Sequence, residues 1–230
     1  INMHNLQQNQ QQQQQQKFGA HEMMEAHAVL TSIINSINHY QLYRTYITDS
    51  QLEQILDRQL QHMVREYDNL VFYLTNQRGV NPAIYESRAM NQAKYGLRNP
   101  APQSPNPSAN AMDDQDIAAG MLYCTKASAL SKISAALECA DPQLRQMMLQ
   151  GAISCSEKAY EIFQYMNQKG YYQVPTLNPN TQSTLANTYQ PVGQYGGTMQ
   201  GYMQQGSQAT MQGTPSTVMG NMGYNNQNNQ

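Results

Sequence analysis

Apolar residues recur at helical spacing through most of the first 170 positions. Between about Phe18 and Tyr46 the residues Met23, Leu30, Ile33, Ile34, Ile37 and Tyr40 fall on one face of a first long helix. Thr48 and Asp49 break the pattern, and Ser50 with Glu53 reads as a capping box opening a second helix. Its seam runs Leu56, Leu60, Met63, Tyr67, Leu70 and Leu74, in steps suited to an antiparallel neighbour. Gly79 is placed as the residue that ends it. Residues 80–112 hold a short helix around Ala83–Lys94, then the proline run Pro100, Pro102, Pro105 and Pro107, which excludes helix and marks a crossover. Asp113, Asp114 and Asp116 load the start of a third helix, whose inner side begins with Ile117, Met121 and Cys124. Asp141 caps a fourth helix with Pro142 in its first turn, Leu144, Met148, Cys155, Ala159, Ile162 and Met166 on its inner face, and Gly170 at its end.

The two halves repeat. Asp49-Ser50-Gln51-Leu52-Glu53-Gln54 aligns with Asp141-Pro142-Gln143-Leu144-Arg145-Gln146, and Asn76-Gln77-Arg78-Gly79 with Asn167-Gln168-Lys169-Gly170. Each half therefore reads as a helical hairpin, 17–79 and 113–172, and the long crossover 80–112 between them predicts an all-α, ferritin-like four-helix bundle.

Composition sets apart the two ends. Residues 1–16 form an arm with seven consecutive glutamines, Gln10–Gln16, too poor in apolar surface to fold alone. All 28 charged residues lie between Lys17 and Lys169, and the tail 173–230 carries none. The tail repeats Gln, Asn, Gly, Thr and Met around spaced tyrosines (Tyr189, Tyr195, Tyr202, Tyr224). Uncharged, amide-rich segments of this kind are disordered and self-associate readily, although a passive extension remains the alternative reading. A net charge of −2 without a basic stripe argues against nucleic acid. No run approaches 18 apolar residues and no signal-peptide pattern opens the sequence, so the expectation is a soluble chain, made without secretion and not inserted in a membrane.

The second half, from Met112-Asp113-Asp114-Gln115-Asp116-Ile117 through Glu138-Cys139-Ala140-Asp141-Pro142-Gln143-Leu144-Arg145-Gln146 to Tyr165-Met166-Asn167-Gln168-Lys169-Gly170-Tyr171-Tyr172-Gln173-Val174-Pro175, resembles the coat F domain of Bacillus-type spore coat proteins. The first hairpin looks like a more divergent partner. The resemblance implies a ferritin-like bundle made in the mother cell, deposited in the spore coat and assembled with other coat proteins. Self-association is a further expectation. In that setting the Gln and Tyr residues would also be candidates for covalent cross-linking.

Candidate chemistry is sparse. A di-iron centre in such a bundle needs Glu residues from two helices and Glu-x-x-His pairs from the other two. Here His62 and Glu66 run in the opposite order, and a wheel places His62 well away from the Leu56–Leu74 seam. The stretch Ser154-Cys155-Ser156-Glu157-Lys158 has no histidine. His21, Glu22, Glu25 and His27 form a surface cluster, read as polar faces and capping groups more readily than as a metal site. Glu138 reads either as a helix-end acid or as a relic of a metal site on the inward side of the third helix. The Met121, Met147, Met148 and Met166 stripe reads as deformable core packing. Gly193, Gly196 and Gly197 lack the strand and helix context of a phosphate loop. No serine or cysteine of the second hairpin has a histidine near it in sequence to act as base.

Cys124, Cys139 and Cys155 form no zinc-like set. Cys124 and Cys155 should lie nearly level across the second hairpin, leaving open a bonded pair, buried thiols or links between molecules. No catalytic, cofactor or metal residue is assigned. The function expected is that of a structural coat component and not an enzyme, with a ferritin-like metal-binding or oxidative protein as the alternative.

Overall fold

A computed structural model of the chain describes residues 18–76, 83–88 and 92–191. The Gln-rich arm, Gly79, the glycines Gly193, Gly196 and Gly197, and the tail tyrosines Tyr195, Tyr202 and Tyr224 lie outside the described residues. Four long helices carry the fold: α1 (Ala20–Arg44), α2 (Ser50–Leu74), α3 (Asp114–Glu138) and α4 (Pro142–Lys169). A single 3₁₀ turn, Ala109–Ala111, precedes α3. Among the described residues there is no named strand, and no helix is long and apolar enough to cross a membrane.

The helix starts follow capping chemistry. Asp49, rather than Ser50, caps α2: its carboxylate accepts from the backbone N–H groups of Gln51 and Leu52, so the serine becomes the first helical residue. An ionised carboxylate in that place also meets the positive end of the helix dipole, which a serine hydroxyl cannot match. Asp113 caps α3 and exchanges a reciprocal capping box with Asp116. Asp141 caps α4 over Pro142, accepting from Leu144 N at 2.7 Å. Gly170 closes α4 with φ 86°, the left-handed conformation that favours glycine.

The seam of α1 differs from expectation. Its buried residues are Ala26, Val29, Ile33, Ser36 and Tyr40, stepping by three and four, whereas Met23 and Ile34 face outward. The small residues Ala26 and Ser36 hold seam positions because neighbouring helices approach there, and a search for large apolar groups passes over them. The seams of α2 and α4 fall where the periodicity put them: Leu56, Leu60, Met63 and Leu70 are buried on α2, and Leu144, Met148, Cys155, Ile162 and Met166 on α4.

Terminal contacts fix the directions. The Asp114 carboxylate, in the first turn of α3, accepts from Thr48 N (2.9 Å) and Asp49 N (3.3 Å) in the α1–α2 turn. Reciprocally, the Glu22 carboxylate, in the first turn of α1, accepts from Ala140 N (2.9 Å) and Asp141 N (2.8 Å) in the α3–α4 turn. Lys169 at the end of α4 pairs with Asp49, and Tyr73 near the end of α2 donates to Asp141 at 2.7 Å. Neighbours α1–α2, α1–α3, α3–α4 and α2–α4 are therefore all antiparallel, and the internal repeat is also a repeat of contacts. Because α2 and α3 run the same way, the chain between them must return along the whole length of a 25-residue helix, about 37 Å.

Among the described residues, that return path holds no α-helix. Residues 83–88 and 92–94 are extended or irregular, in place of the expected helix over Ala83–Lys94. Their backbone groups bond outward, to α4: Tyr85 N donates to Ser154 Oγ (3.0 Å), Arg88 N to Glu161 Oε1 (3.4 Å) and Lys94 N to Asn167 Oδ1 (2.7 Å). A helix would have consumed those donors internally.

The repeat fails at its stops. Asn167 is buried inside α4 and clamps the crossover, donating to the carbonyls of Lys94 and Tyr172. Its counterpart Asn76 lies beyond the end of α2, in a left-handed turn with φ 56°.

Residues 177–191 belong to a separate compact unit. They contain a nine-residue helix, α5 (Pro179–Asn187), with no buried residue, which corrects the reading of the whole tail as disordered. Asn178 accepts from Asn180 N and Pro179 takes the first turn, a local start signal strong enough to hold a helix in an uncharged sequence.

Candidate functional site, a buried ionic layer

Two apolar clusters occupy opposite ends of the bundle. One gathers Tyr40, Leu52, Ile55, Leu56, Ile117, Met121, Ile162 and Tyr165; the other gathers Ala26, Val29, Ile33, Leu70, Ala135, Ala136, Leu144 and Met148. Between them lies a layer of buried polar and charged groups: Gln59, His62 and Glu66 from α2, Lys132 from α3, and Ser154, Cys155, Lys158 and Glu161 from α4.

The two lysines stand on their helices' inward stripes. On α4, Lys158 falls between Cys155 and Ile162; on α3, Lys132 falls between Ser128 and Ala135. Glu66 lies between the two ammonium groups, paired directly with Lys132 Nζ and 3.6 Å from Lys158 Nζ. Lys132 also donates to Cys155 Sγ at 3.3 Å. Gly151 on α4 makes room: a Cβ there would press on Glu66 Oε1 and the stem of Lys132. Burial alone would raise the Glu66 carboxyl, but the adjacent ammonium groups of Lys132 and Lys158 hold it below its usual range. Burial likewise opposes the charge on Lys132, yet Glu66 keeps it protonated, whereas Lys158 is pushed down because burial outweighs its longer contact with Glu66.

Glu161 forms a second node and is fully buried. It accepts from Arg58 Nη2 at 2.8 Å, from Gln59 Nε2 at 3.0 Å and from the Tyr85 hydroxyl. Gln59 in turn donates to the Lys158 carbonyl and accepts from the Tyr40 hydroxyl at 2.8 Å. One carboxylate thus ties α1, α2, α4 and the crossover together.

His62 lies off the Leu56–Leu74 seam, yet it is buried: the crossover covers it, with its ring edge-on to Tyr85 and its Nε2–H donating to the Ala83 carbonyl at 3.0 Å. Burial first, then the nearby Lys158 charge, push its pKa down to about 4, so the ring is neutral at pH 7.

The other candidates are dispersed. Glu22 is the buried clasp on the α3–α4 turn, while His21 and His27 are exposed. Glu138 is exposed at the end of α3, which corrects its placement on the inward side. Met121, Met148 and Met166 are buried in the two apolar clusters and Met147 packs at the edge of one. Among the described residues no three His, Cys, Asp or Glu side chains come together as a metal set. Cys124, Cys139 and Cys155 are free thiols; Cys124 and Cys155 face one cavity of about 10 Å³ together with Tyr40, Lys132 and Lys158. Burial raises the Cys124 thiol, and burial with the Glu22 and Asp141 charges raises that of Cys139.

The missed residues had a sequence signal. Glu66, Lys132 and Lys158 occupy heptad-like positions within apolar seams, and charged residues at such positions are rarely buried unless they are paired with one another.

Comparison with known proteins agrees with the fold. Residues 113–175 match the Coat F domain family. The chain is 34% identical over 191 residues to the spore coat protein F-like protein YhcQ of Bacillus subtilis (strain 168), covering 82% of this chain and 88% of that protein. A crystal structure described as a spore coat protein of Bacillus halodurans C-125 superposes with a TM-score of 0.52 at 16% identity, over 70% of this chain and 95% of that one, a likeness of fold alone. With four antiparallel helices, a repeated capping pattern and an extended relative of this similarity, the chain belongs to the Coat F domain family of spore coat proteins.

Proposed function

We propose that this chain is a structural component of the bacterial spore coat, synthesised in the mother cell and working by packing and association with itself and other coat proteins rather than by catalysis. The observation that carries the reading is the ionic layer. In a bundle with one long crossover, the ferritin-like class to which we assign this arrangement, the centre is where inward carboxylates hold metal ions. Here the carboxylates are already engaged by protein cations and donors: Glu66 by Lys132 and Lys158, Glu161 by Arg58, Gln59 and Tyr85. A divalent ion entering there would have to displace two lysines across a repulsive gap.

The division of labour we propose gives the two hairpins, 17–79 and 113–172, the role of a rigid block, the crossover 80–112 that of a strap, and the arm 1–16 and tail 173–230 that of adhesive ends. Cross-linking of tail Gln and Tyr residues would make such adhesion permanent. Fractionation of spores tests the reading: the chain is expected in the coat extract and absent from the core fraction, and recovery only from the soluble cytosol would overturn it. Peptide mapping of coats that found no cross-linked tail peptides would remove the cross-linking step alone.

A further inference from the structure

The inner side of α3 is buried from Ile117 to Ala136, yet its outer side is largely apolar as well. The exposed positions from Ala119 to Glu138 span an arc of about 140° at about 100° per residue. Tyr123, Leu130 and Leu137 are 76%, 74% and 77% exposed. An amphipathic surface helix puts charge on this face; α3 puts only one lysine, Lys126, and one glutamate, Glu138, there.

The order of these residues has a symmetry of its own. Tyr123, Ala127, Leu130, Ser134 and Leu137 step by four, three, four and three, and run large, small, large, small, large about Leu130. A two-fold interface must be self-complementary, and a pattern of sizes that reads nearly the same from either end about its midpoint meets that requirement when two copies cross antiparallel. Leu130 then meets its own counterpart, Tyr123 meets the second copy's Leu137, and the small Ala127 and Ser134 face each other, letting the backbones approach.

The surface continues toward the end of α4, where Lys126 Nζ sits 5.6 Å from the Tyr172 ring, Phe163 meets that ring edge-on and Tyr160 stacks on Phe163. At roughly 150–200 Å² for each large side chain the face offers on the order of 600 Å² per copy, somewhat below the 800 Å² of a standard interface.

We infer that the outer face of α3, centred on Leu130, is the docking surface for a second copy of this chain, forming an antiparallel two-fold dimer. The inference gives a location to the self-association invoked above and rests on that reading, but it is tested on purified protein, independently of where the chain resides in a spore. Sedimentation of the full-length chain across a concentration series should show a reversible dimer, and Leu130→Lys, a substitution at an exposed site, should weaken it by about tenfold or more with an unchanged melting temperature.

In a Cys124→Ser, Cys139→Ser background, Leu130→Cys should oxidise to a covalent dimer linked through position 130. Met24→Cys, on the exposed side of α1, should not. A monomer at all concentrations would overturn the inference, as would association that survives Leu130→Lys, the outcome if the chain's own terminal segments carry the contact or cover the face. Failure here with the chain still in the coat extract would leave the structural reading intact and remove only this surface.

Discussion

At the scale of single residues, the ionic layer behaves as a set of mutually dependent charges. Removing Lys132 alone, as Lys132→Met, leaves Glu66 buried against one weakly placed ammonium and is expected to destabilise the fold by about 3–5 kcal/mol. Replacing the whole set together, Glu66→Leu with Lys132→Met and Lys158→Met, should recover most of that loss, because apolar groups need no partner and no buried ammonium is left without its carboxylate; denaturant melts of the two variants measure the difference. His62 adds a pH dependence. Its folded pKa, about 4, lies below the ordinary 6.5, so unfolding takes up a proton between those values. Stability is complete above about pH 6.5 and falls as pH drops toward 4, by up to about 3 kcal/mol. His62→Gln should flatten the pH profile of the melting temperature within that window. Below it, loss should continue in both proteins as Asp49 and Glu66, whose folded carboxyls are held low, become protonated.

At the scale of elements, Gly151 tests whether packing of the layer or helix propensity dominates. Alanine in a helix interior is ordinarily worth about 0.5–1 kcal/mol over glycine. A Cβ at 151, however, meets Glu66 and Lys132, and overpacking costs about 1–3 kcal/mol. Gly151→Ala should therefore lower the melting temperature, against its intrinsic preference. The two clasps give a paired expectation: Glu22→Gln and Asp114→Asn should each loosen the turn that the carboxylate holds, seen as faster amide exchange at Ala140–Asp141 and Thr48–Asp49 respectively.

Legibility in the sequence divides along the same line. Helix starts at Asp141 and stops at Gly170 were legible because caps are local, and the α2 and α4 seams because large apolar residues repeat there. The α1 seam was blurred by Ala26 and Ser36, which pack as well as larger groups where helices are close. The strap over 83–94 and the burial of His62 depend on partners some 70 residues away in α4 and about 20 away in the crossover, which no window on the sequence contains. The ionic layer left a signal, since Glu66, Lys132 and Lys158 stand on apolar seams, but their pairing joins three different helices and no single helical pattern contains it.

At the scale of the whole molecule, one sequence pattern duplicated at Asp49 and Asp141 produces a block of antiparallel helices held by reciprocal clasps, with charge confined to the block and its crossover and absent from the tail. In the structural role proposed above, the layer that a metalloenzyme would devote to its ions is instead closed by lysine, arginine and tyrosine. Iron added to the purified chain at pH 7 should accordingly show no stoichiometric uptake. The most direct measurement uses spores in which the only copy of the chain is the Glu66→Leu, Lys132→Met, Lys158→Met variant, with its amount in the coat extract compared with that of the unaltered chain. Equal amounts are predicted, since the layer serves the fold. A variant that folds with normal stability yet is missing from the coat would contradict that, and would assign the buried charges a task beyond holding the helices together.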